Sequence, residues 1–248
     1  MTFKELLEKN SIEAWEIYLP HISIDCVVFG FHEGSLKVLI LKMKETELWG
    51  LPGGYVLKEE DLKTAAGRIL EARTGAKDVY LQQFRVFGET NRSEAFFDHL
   101  PEGSFFKQRF ISVGFYALVD YSKVQPVVDE LSTDCVWRCI DTIPELMMDH
   151  QFILEQAQRT LRKQLVHKPI GYNLLPDKFT MPELQRLYEI ILNKKLNRGN
   201  FYRKILRYDI LVKLDETRKG GAHKAPDLYS FDLERYNTAL KNGLNEVW

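Results

Sequence analysis

The sequence predicts an α+β protein in two parts: a mixed sheet sandwiched between helices, then a helix-turn-helix closed by a two-stranded β-wing. Three observations predict it. β-Rich segments alternate with helical ones before a break, as in a layered mixed sheet. The break, "HKPIGYNLLPDKF" near 167–178, puts Pro169, Gly171 and Pro176 within a few positions and reads as a hinge. Charge then reverses: Lys178 to Arg235 holds thirteen Lys/Arg against eight Asp/Glu, net +5 in a chain of −1, leaving −6 for the rest. The expected parts are 1–165, a linker at 166–178, and 179–248, which suits a chain of 248 residues.

The elements follow in order. Residues 2–18 carry apolar side chains at helical spacing and predict short helices. "ISIDCVVFGF" (22–31) and "LKVLILKM" (36–43) flank "HEGS" and predict a hairpin. "LWGLPGGYV" (48–56) reads as a strand running into a glycine turn. "DLKTAAGRILEART" (61–74) is a helix with Leu62, Ala66, Ile69 and Leu70 on one face and Gly75 as its stop. Strands are expected in "VYLQQFRVFG", "FFKQRFISVGFYALVD" and "DCVWRCI", then helices in "TIPELMMD" and "QFILEQAQRTLRKQL". Past the break, Thr180 is placed to cap a helix with Pro182 in its first turn and Leu184, Leu187, Tyr188 and Ile191 as its apolar stripe. A second helix begins after "LNRGN", and "LVKLDE" and "LYSF" supply the wing.

Hydrophobic content of 45% supports a core of ordinary size. "MTFKELLEKN" has charges where a secretion signal needs an apolar run, and no apolar stretch approaches the ~20 residues of a membrane span. Cys26, Cys135 and Cys139 sit in apolar flanks without zinc-ligand spacing. They are expected to be free core thiols in a reducing cytoplasm.

One stretch points to chemistry. In "LPGGYVLKEEDLKTAAGRILEARTGA", Gly54, Glu60, Arg68, Leu70 and Gly75 fall in the register of the Nudix box. The chain resembles the Nudix family over roughly residues 20–165, which implies an α/β/α sandwich and a diphosphate-cleaving site. The acidic positions of that pattern are occupied here by Ile69, Ala72 and Arg73. Glu71 is adjacent, but a step of ~100° per residue turns it to another side of the helix. Magnesium needs oxygen ligands in tight geometry, and diphosphate hydrolysis needs that metal. The expectation is therefore no metal, no cofactor and no catalysis. Glu60 is expected to cap the helix start at its positive end, and the resemblance implies that Arg68 braces the loop through an internal ion pair. A pocket remains, with Tyr55, Arg73, Arg92, Lys107 and Arg109 as candidate ligand contacts. Arg73 would replace the cation and hold an anion, and Arg92 is placed by the resemblance of "FGETNR" to a family loop. The aromatics Phe96, Phe97, Phe105 and Phe106 either cover a ligand or seal a core or dimer.

The order of parts resembles the Nudix-related transcriptional regulators of bacteria, with "LNRGNFYRKIL" similar to their recognition-helix signature. Such regulators control NAD metabolism or sugar use. The similarity leans to the sugar-responsive branch, including the arabinose regulators. The residues support the same reading on their own. Between Lys194 and Lys224, ten Lys/Arg face three acids, the charge footprint of a nucleic-acid-binding module. With Asn197 as N-cap, Phe201, Ile205 and Leu206 would face the core. Arg198, Asn200, Tyr202, Arg203 and Arg207 would face double-stranded DNA, where Arg reads guanine and Asn adenine. Arg218, Lys219, His223 and Lys224 on the wing loop suit phosphate or minor-groove contact. The expected protein is a cytoplasmic homodimeric repressor of sugar metabolism, bound to operator DNA and released by a sugar or nucleotide-sugar. The competing expectation is a pyrophosphohydrolase acting on ADP-ribose or a similar diphosphate.

Overall fold

The computed structural model describes residues 2–75, 79–218 and 225–243. They divide into two compact units, Met1–Gly30 with Lys37–Ala157 and Phe31–Leu36 with Gln158–Trp248. In the first, helix α1 (Phe3–Ile17) leads into strands β1 (Tyr18–His32), β2 (Ser35–Met43), β3 (Trp49–Gly50) and β4 (Gly53–Leu57). Helix α2 (Leu62–Thr74), β5 (Tyr80–Phe87), β6 (Ile111–Val119) and β7 (Ser132–Cys139) follow. Helix α3 (His150–His167) runs on into the second unit.

The sheet is mixed, as expected. Its order is β3-β2-β1-β6-β5, with β4 pairing β1 and β7 pairing β2. β1 and β6 run parallel from Ile22↔Ile111 to Gly30↔Val119. β1 and β2 are joined at Glu33 and Gly34, both at positive φ, as a type I′ turn requires. α2 lays Ala65, Ala66, Ile69 and Leu70 on the sheet core with Ile24, Val28 and Val113. Truncating a fully buried leucine such as Leu70 costs about 2–5 kcal/mol. Gly75, left-handed at φ 65, ends the helix as read from sequence.

Several expectations change. Residues 3–17 form one helix, started by a Thr2–Glu5 capping box. Gly53 and Gly54 lie inside β4 and form no turn. "TIPELMMD" is not helical: Ile140–Thr142 is a short 3-10 turn, Leu146 bridges to Trp49, and Met148 has φ 51. The backbone of this stretch pairs with β3 instead: Trp49 N donates to the Glu145 carbonyl at 3.2 Å and Met147 N to the Trp49 carbonyl at 2.8 Å.

In the second unit, α4 (Met181–Leu192) starts at a Thr180–Glu183 capping box with Pro182 in its first turn and buries Leu184, Leu187, Tyr188 and Ile191. α5 (Arg198–Arg207) is capped by Asn197. Between them, Glu189 Oε1 accepts from Leu196 N at 2.9 Å and Gln185 Nε2 donates to Leu196 O at 2.9 Å, which fixes the turn. β8 (Phe179–Thr180), β9 (Leu211–Thr217) and β10 (Asp227–Phe231) form a sheet in the order β8-β10-β9. The wing is thus backed by a third strand. A further helix, α6 (Leu233–Asn242), was not foreseen; Asp232 caps it and Tyr236 is its buried anchor. The stretch expected to be a hinge is packed: Ile170, Leu174 and Leu175 are buried, and a Cβ on Gly171 would lie 3.3 Å from Leu187.

Candidate functional site

The first unit holds a cavity of about 160 Å³. Its walls come from α1, β1, β2, β4, the end of α2, the 92–110 loop and the start of α3. Most of the wall is apolar, with charged groups at two places.

The first place is α2 with the loop before it. Arg68 donates to Glu60 through Nη2 (2.5 Å) and Nε (3.1 Å), and to the Tyr55 carbonyl at 2.8 Å. Glu60 also accepts from Leu57 N at 2.8 Å. The Arg68 hydrogen bond, then the Leu57 amide, holds the Glu60 carboxyl below the usual carboxylate range. This is the loop brace expected of Arg68. Glu60 does not cap α2; Asp61 does, accepting from Thr64 N at 2.8 Å. Its shorter side chain reaches that amide directly. At the three family acid positions, Ile69 is buried in the core, Ala72 is exposed and Arg73 forms an ion pair with Asp129. A Cβ on Gly54 would sit 3.1 Å from Ile69 Cδ1, so hydrocarbon fills the space between β4 and α2. These side chains do not fit a divalent cation. Among the described residues, no group of three or more His, Cys, Asp or Glu is placed to hold one.

The second place is a buried polar cluster missed in the sequence reading. Asp25 on β1 accepts from Ser112 Oγ at 2.5 Å and from Arg92 Nη2 at 3.2 Å. Arg92 also forks onto Asp149 through Nε (2.9 Å) and Nη2 (2.8 Å). The Arg92 side chain is only 4% exposed. Burial alone would lower its pKa, but Asp25 and Asp149 overcome that and raise it. His150 Nδ1 accepts from Leu51 N at 2.9 Å, and its Nε2 lies 3.5 Å from Asp25 Oδ1. Burial lowers the His150 pKa against the pull of Asp25, so the ring is neutral at pH 7. Gly53 is required here, because a Cβ would come within 2.9 Å of Asp25 Oδ1. The sequence carried one signal: an aspartate inside the apolar run "ISIDCVVF" must find a partner.

Of the five candidate ligand residues, Tyr55, Arg73 and Arg92 line this cavity. Lys107 and Arg109 are not among its lining residues. Lys107 pairs with Glu102 at 2.5 Å, and Arg109 donates to the Gly88 carbonyl at 3.0 Å. The aromatic loop forms a second core cluster: Phe97, Phe105, Phe106 and Phe110 pack with Phe3, Leu7 and Ala14 of α1. Phe96, Phe97, Phe106 and Phe110 also line the cavity. Burial pushes the Tyr55 phenol pKa well up, and its ring touches Phe105, Phe106 and Phe110 at 5.1–5.6 Å.

In the second unit, α5 buries Phe201 and Ile205 and exposes Arg198, Asn200, Arg203 and Arg207. Leu206 is 42% exposed, contrary to its expected place in the core; the helical step carries it past the Ile205 face. Arg203 Nη2 donates to Asn200 Oδ1 at 2.6 Å. Tyr202 is 38% exposed, with its hydroxyl 2.8 Å from the Tyr229 hydroxyl on β10. Arg218 pairs with Glu183 at 2.8 Å and donates to the Lys178 carbonyl at 3.3 Å, so it ties the base of the wing to the start of α4. Lys219, His223 and Lys224 lie outside the described residues.

Residues 19–157 match the family model for the NUDIX domain, and residues 171–231 match that for the NrtR DNA-binding winged helix domain. The chain is 28% identical over 225 residues to the "ADPR responsive transcriptional repressor NtrR" of Acinetobacter baylyi, covering 88% of this chain and 84% of that protein. The Shewanella oneidensis NrtR structure, complexed with a 27mer DNA, aligns with TM-score 0.74 at 24% identity over 92% of this chain and 99% of that one. A MutT/nudix family protein from Enterococcus faecalis aligns with TM-score 0.62 at 18% identity, over 86% and 88% of the two chains. These two likenesses concern the fold. The sequence leaned to the sugar-responsive branch, whereas the repressor match carries an ADP-ribose name. No helix among the described residues is long and apolar enough to cross a membrane. With the Nudix frame spanning the sheet, α2 and the cavity, and an NrtR-type winged helix following it, the chain belongs to the Nudix family and carries a DNA-binding head.

Proposed function

We propose that this protein is a metabolite-responsive transcriptional repressor, working in the cytoplasm as a homodimer on a two-fold-related operator. One observation carries the reading: a DNA-binding winged helix shares a chain with a Nudix frame whose acid positions hold Ile69, Ala72 and Arg73. A pocket without carboxylates at the metal seat binds and does not cut. Arg198, Asn200, Arg203 and Arg207 face the major groove, with Lys219 and Lys224 on the phosphates. Tyr202 is assigned to the same face through its ring edge, its hydroxyl being shared with Tyr229. Arg218 reaches DNA only by leaving Glu183. An effector releases the operator by binding better to one arrangement of the protein than to another.

Two effector readings rest on different observations. A sugar-sized molecule is favoured by the cavity: about 160 Å³ is below the ~300–1,000 Å³ usual for drug-sized ligands. Both guanidiniums lining it are already matched by carboxylates. ADP-ribose is favoured by the name of the Acinetobacter relative. That ligand requires Arg73 to leave Asp129 and take a phosphate, a strong charge-assisted exchange.

Calorimetric titration with pentoses, hexoses and ADP-ribose, followed by gel shifts on an operator selected from random duplex DNA, decides between them. Sequence-specific binding weakened by one of these compounds is the expected result. Indifference to duplex sequence would reject the repressor reading. Magnesium-dependent hydrolysis of ADP-ribose, abolished by Glu60→Gln, would establish the competing pyrophosphohydrolase instead.

A further inference from the structure

We propose that Arg92 is a positioning residue that couples the cavity to α3, and through it to the second unit. The proposal rests on the reading that the cavity takes an effector. Arg92 spans two elements. On one side it meets Asp25 in β1; on the other it holds Asp149 with a two-bond fork. Asp149 starts α3, since its carbonyl accepts from Ile153 N at 3.0 Å. Asp25, Arg92 and His150 line the cavity, while Asp149 is not among the lining residues. A ligand therefore reaches one half of the bridge, and the other half fixes a helix.

The charges make the bridge responsive. One guanidinium serves two carboxylates, the buried Asp25 and the half-buried Asp149, and a charge withdrawn from water without a full match is costly. Ser112 Oγ and the His150 ring offset it only at Asp25. A ligand group that donates to Asp25, or accepts from Arg92, changes how firmly the guanidinium holds Asp149. α3 is one unbroken helix of 18 residues, roughly 27 Å long at ~1.5 Å per residue. Its buried Ile153, Leu154 and Ala157 belong to the first unit, and its buried Leu161 and Leu165 to the second. In the second unit, Arg162 Nε donates to the Ile191 carbonyl of α4 at 3.0 Å. A change at the start of α3 thus has a continuous covalent and hydrogen-bonded route to the helix-turn-helix.

The test is Asp149→Asn in the full chain, which takes the charge and one acceptor oxygen from the fork without substituting a residue that lines the cavity. Asp149→Glu, which keeps the charge and displaces it by one methylene, is the milder second variant. Amide exchange is expected to quicken along α3 as far as Leu165. Affinity for the selected operator is expected to change by at least about fivefold, although no DNA-facing residue differs. Faster exchange confined to the first turn, with operator affinity unchanged, would make the fork a local brace and overturn the proposal. Titrations with ADP-ribose and with pentoses provide the second arm. A compound that binds the parent protein should still bind Asp149→Asn yet lose most of its effect on operator affinity. If none of them binds the parent, the effector reading fails, and the exchange and operator measurements still decide whether Arg92 couples α3.

Discussion

Charge is handled in opposite ways at the cavity and on the recognition helix. At the cavity, Arg73 and Arg92 are each matched by aspartate, and Arg92 is almost wholly withdrawn from water. On α5, the arginines stand in solvent, and Arg203 is steadied by a neutral partner, Asn200. A buried guanidinium matched by carboxylates contributes to the fold and answers only to something that competes for its partners. An exposed one held by an amide keeps its charge for a phosphate or a guanine. Residues of one chemical type thus serve structure in one unit and, on the function proposed above, recognition in the other.

The largest expected effect would break that contrast at the cavity. Arg92→Ala should lower unfolding free energy by about 3 kcal/mol, because it strands the buried Asp25 carboxylate and the half-buried Asp149. Urea denaturation checks this, and a loss below about 1 kcal/mol would place Arg92 with the exposed class. On α5 the outcome should be reversed. Arg203→Ala should leave stability within about 0.5 kcal/mol yet weaken operator binding by about 1–3 kcal/mol. Equal operator binding in a gel-shift titration would remove Arg203 from the readout. Tyr229→Phe removes the hydroxyl that meets Tyr202. A cost of about 0.5–1.5 kcal/mol in stability is expected, by the same denaturation measurement. The finest distinction is in pH. Burial lowers the His150 pKa from 6.5, so the unfolded chain takes up the proton first as pH falls. Stability should therefore hold above pH 6.5 and decline below it. His150→Asn should flatten that slope between about pH 7 and 5.5 in thermal melts at stepped pH.

The sequence made some of this legible and not the rest, for a physical reason. α2, α4 and α5 could be bounded because their signals are local: Gly75, the Thr180–Glu183 box and Asn197 act within a turn of the residues they cap. The resemblance gave Arg68 its bracing ion pair, eight positions from its partner, but Glu60 was assigned to the helix cap that Asp61 supplies. The Arg92 bridge was not legible, since its partners lie 67 and 57 positions away and only the folded sheet brings them together. "TIPELMMD" misled because its apolar spacing imitates a helix, whereas its backbone groups pair with Trp49, far back in the chain. The resemblance of "FGETNR" did bring Arg92 to the cavity wall. It did not reveal that the guanidinium was already engaged. Lys107 and Arg109 were chosen by charge alone, and the loop turns both to nearby oxygens.

Ile69 against Gly54 decides what a new side chain at that seat would meet. A glutamate restored at that one position would bury a carboxylate in hydrocarbon, with Arg73 still committed to Asp129 and Ala72 still mute. A carboxylate placed at Ile69 alone would therefore meet burial before it met a cation, while one at the exposed Ala72 would stand by itself in water.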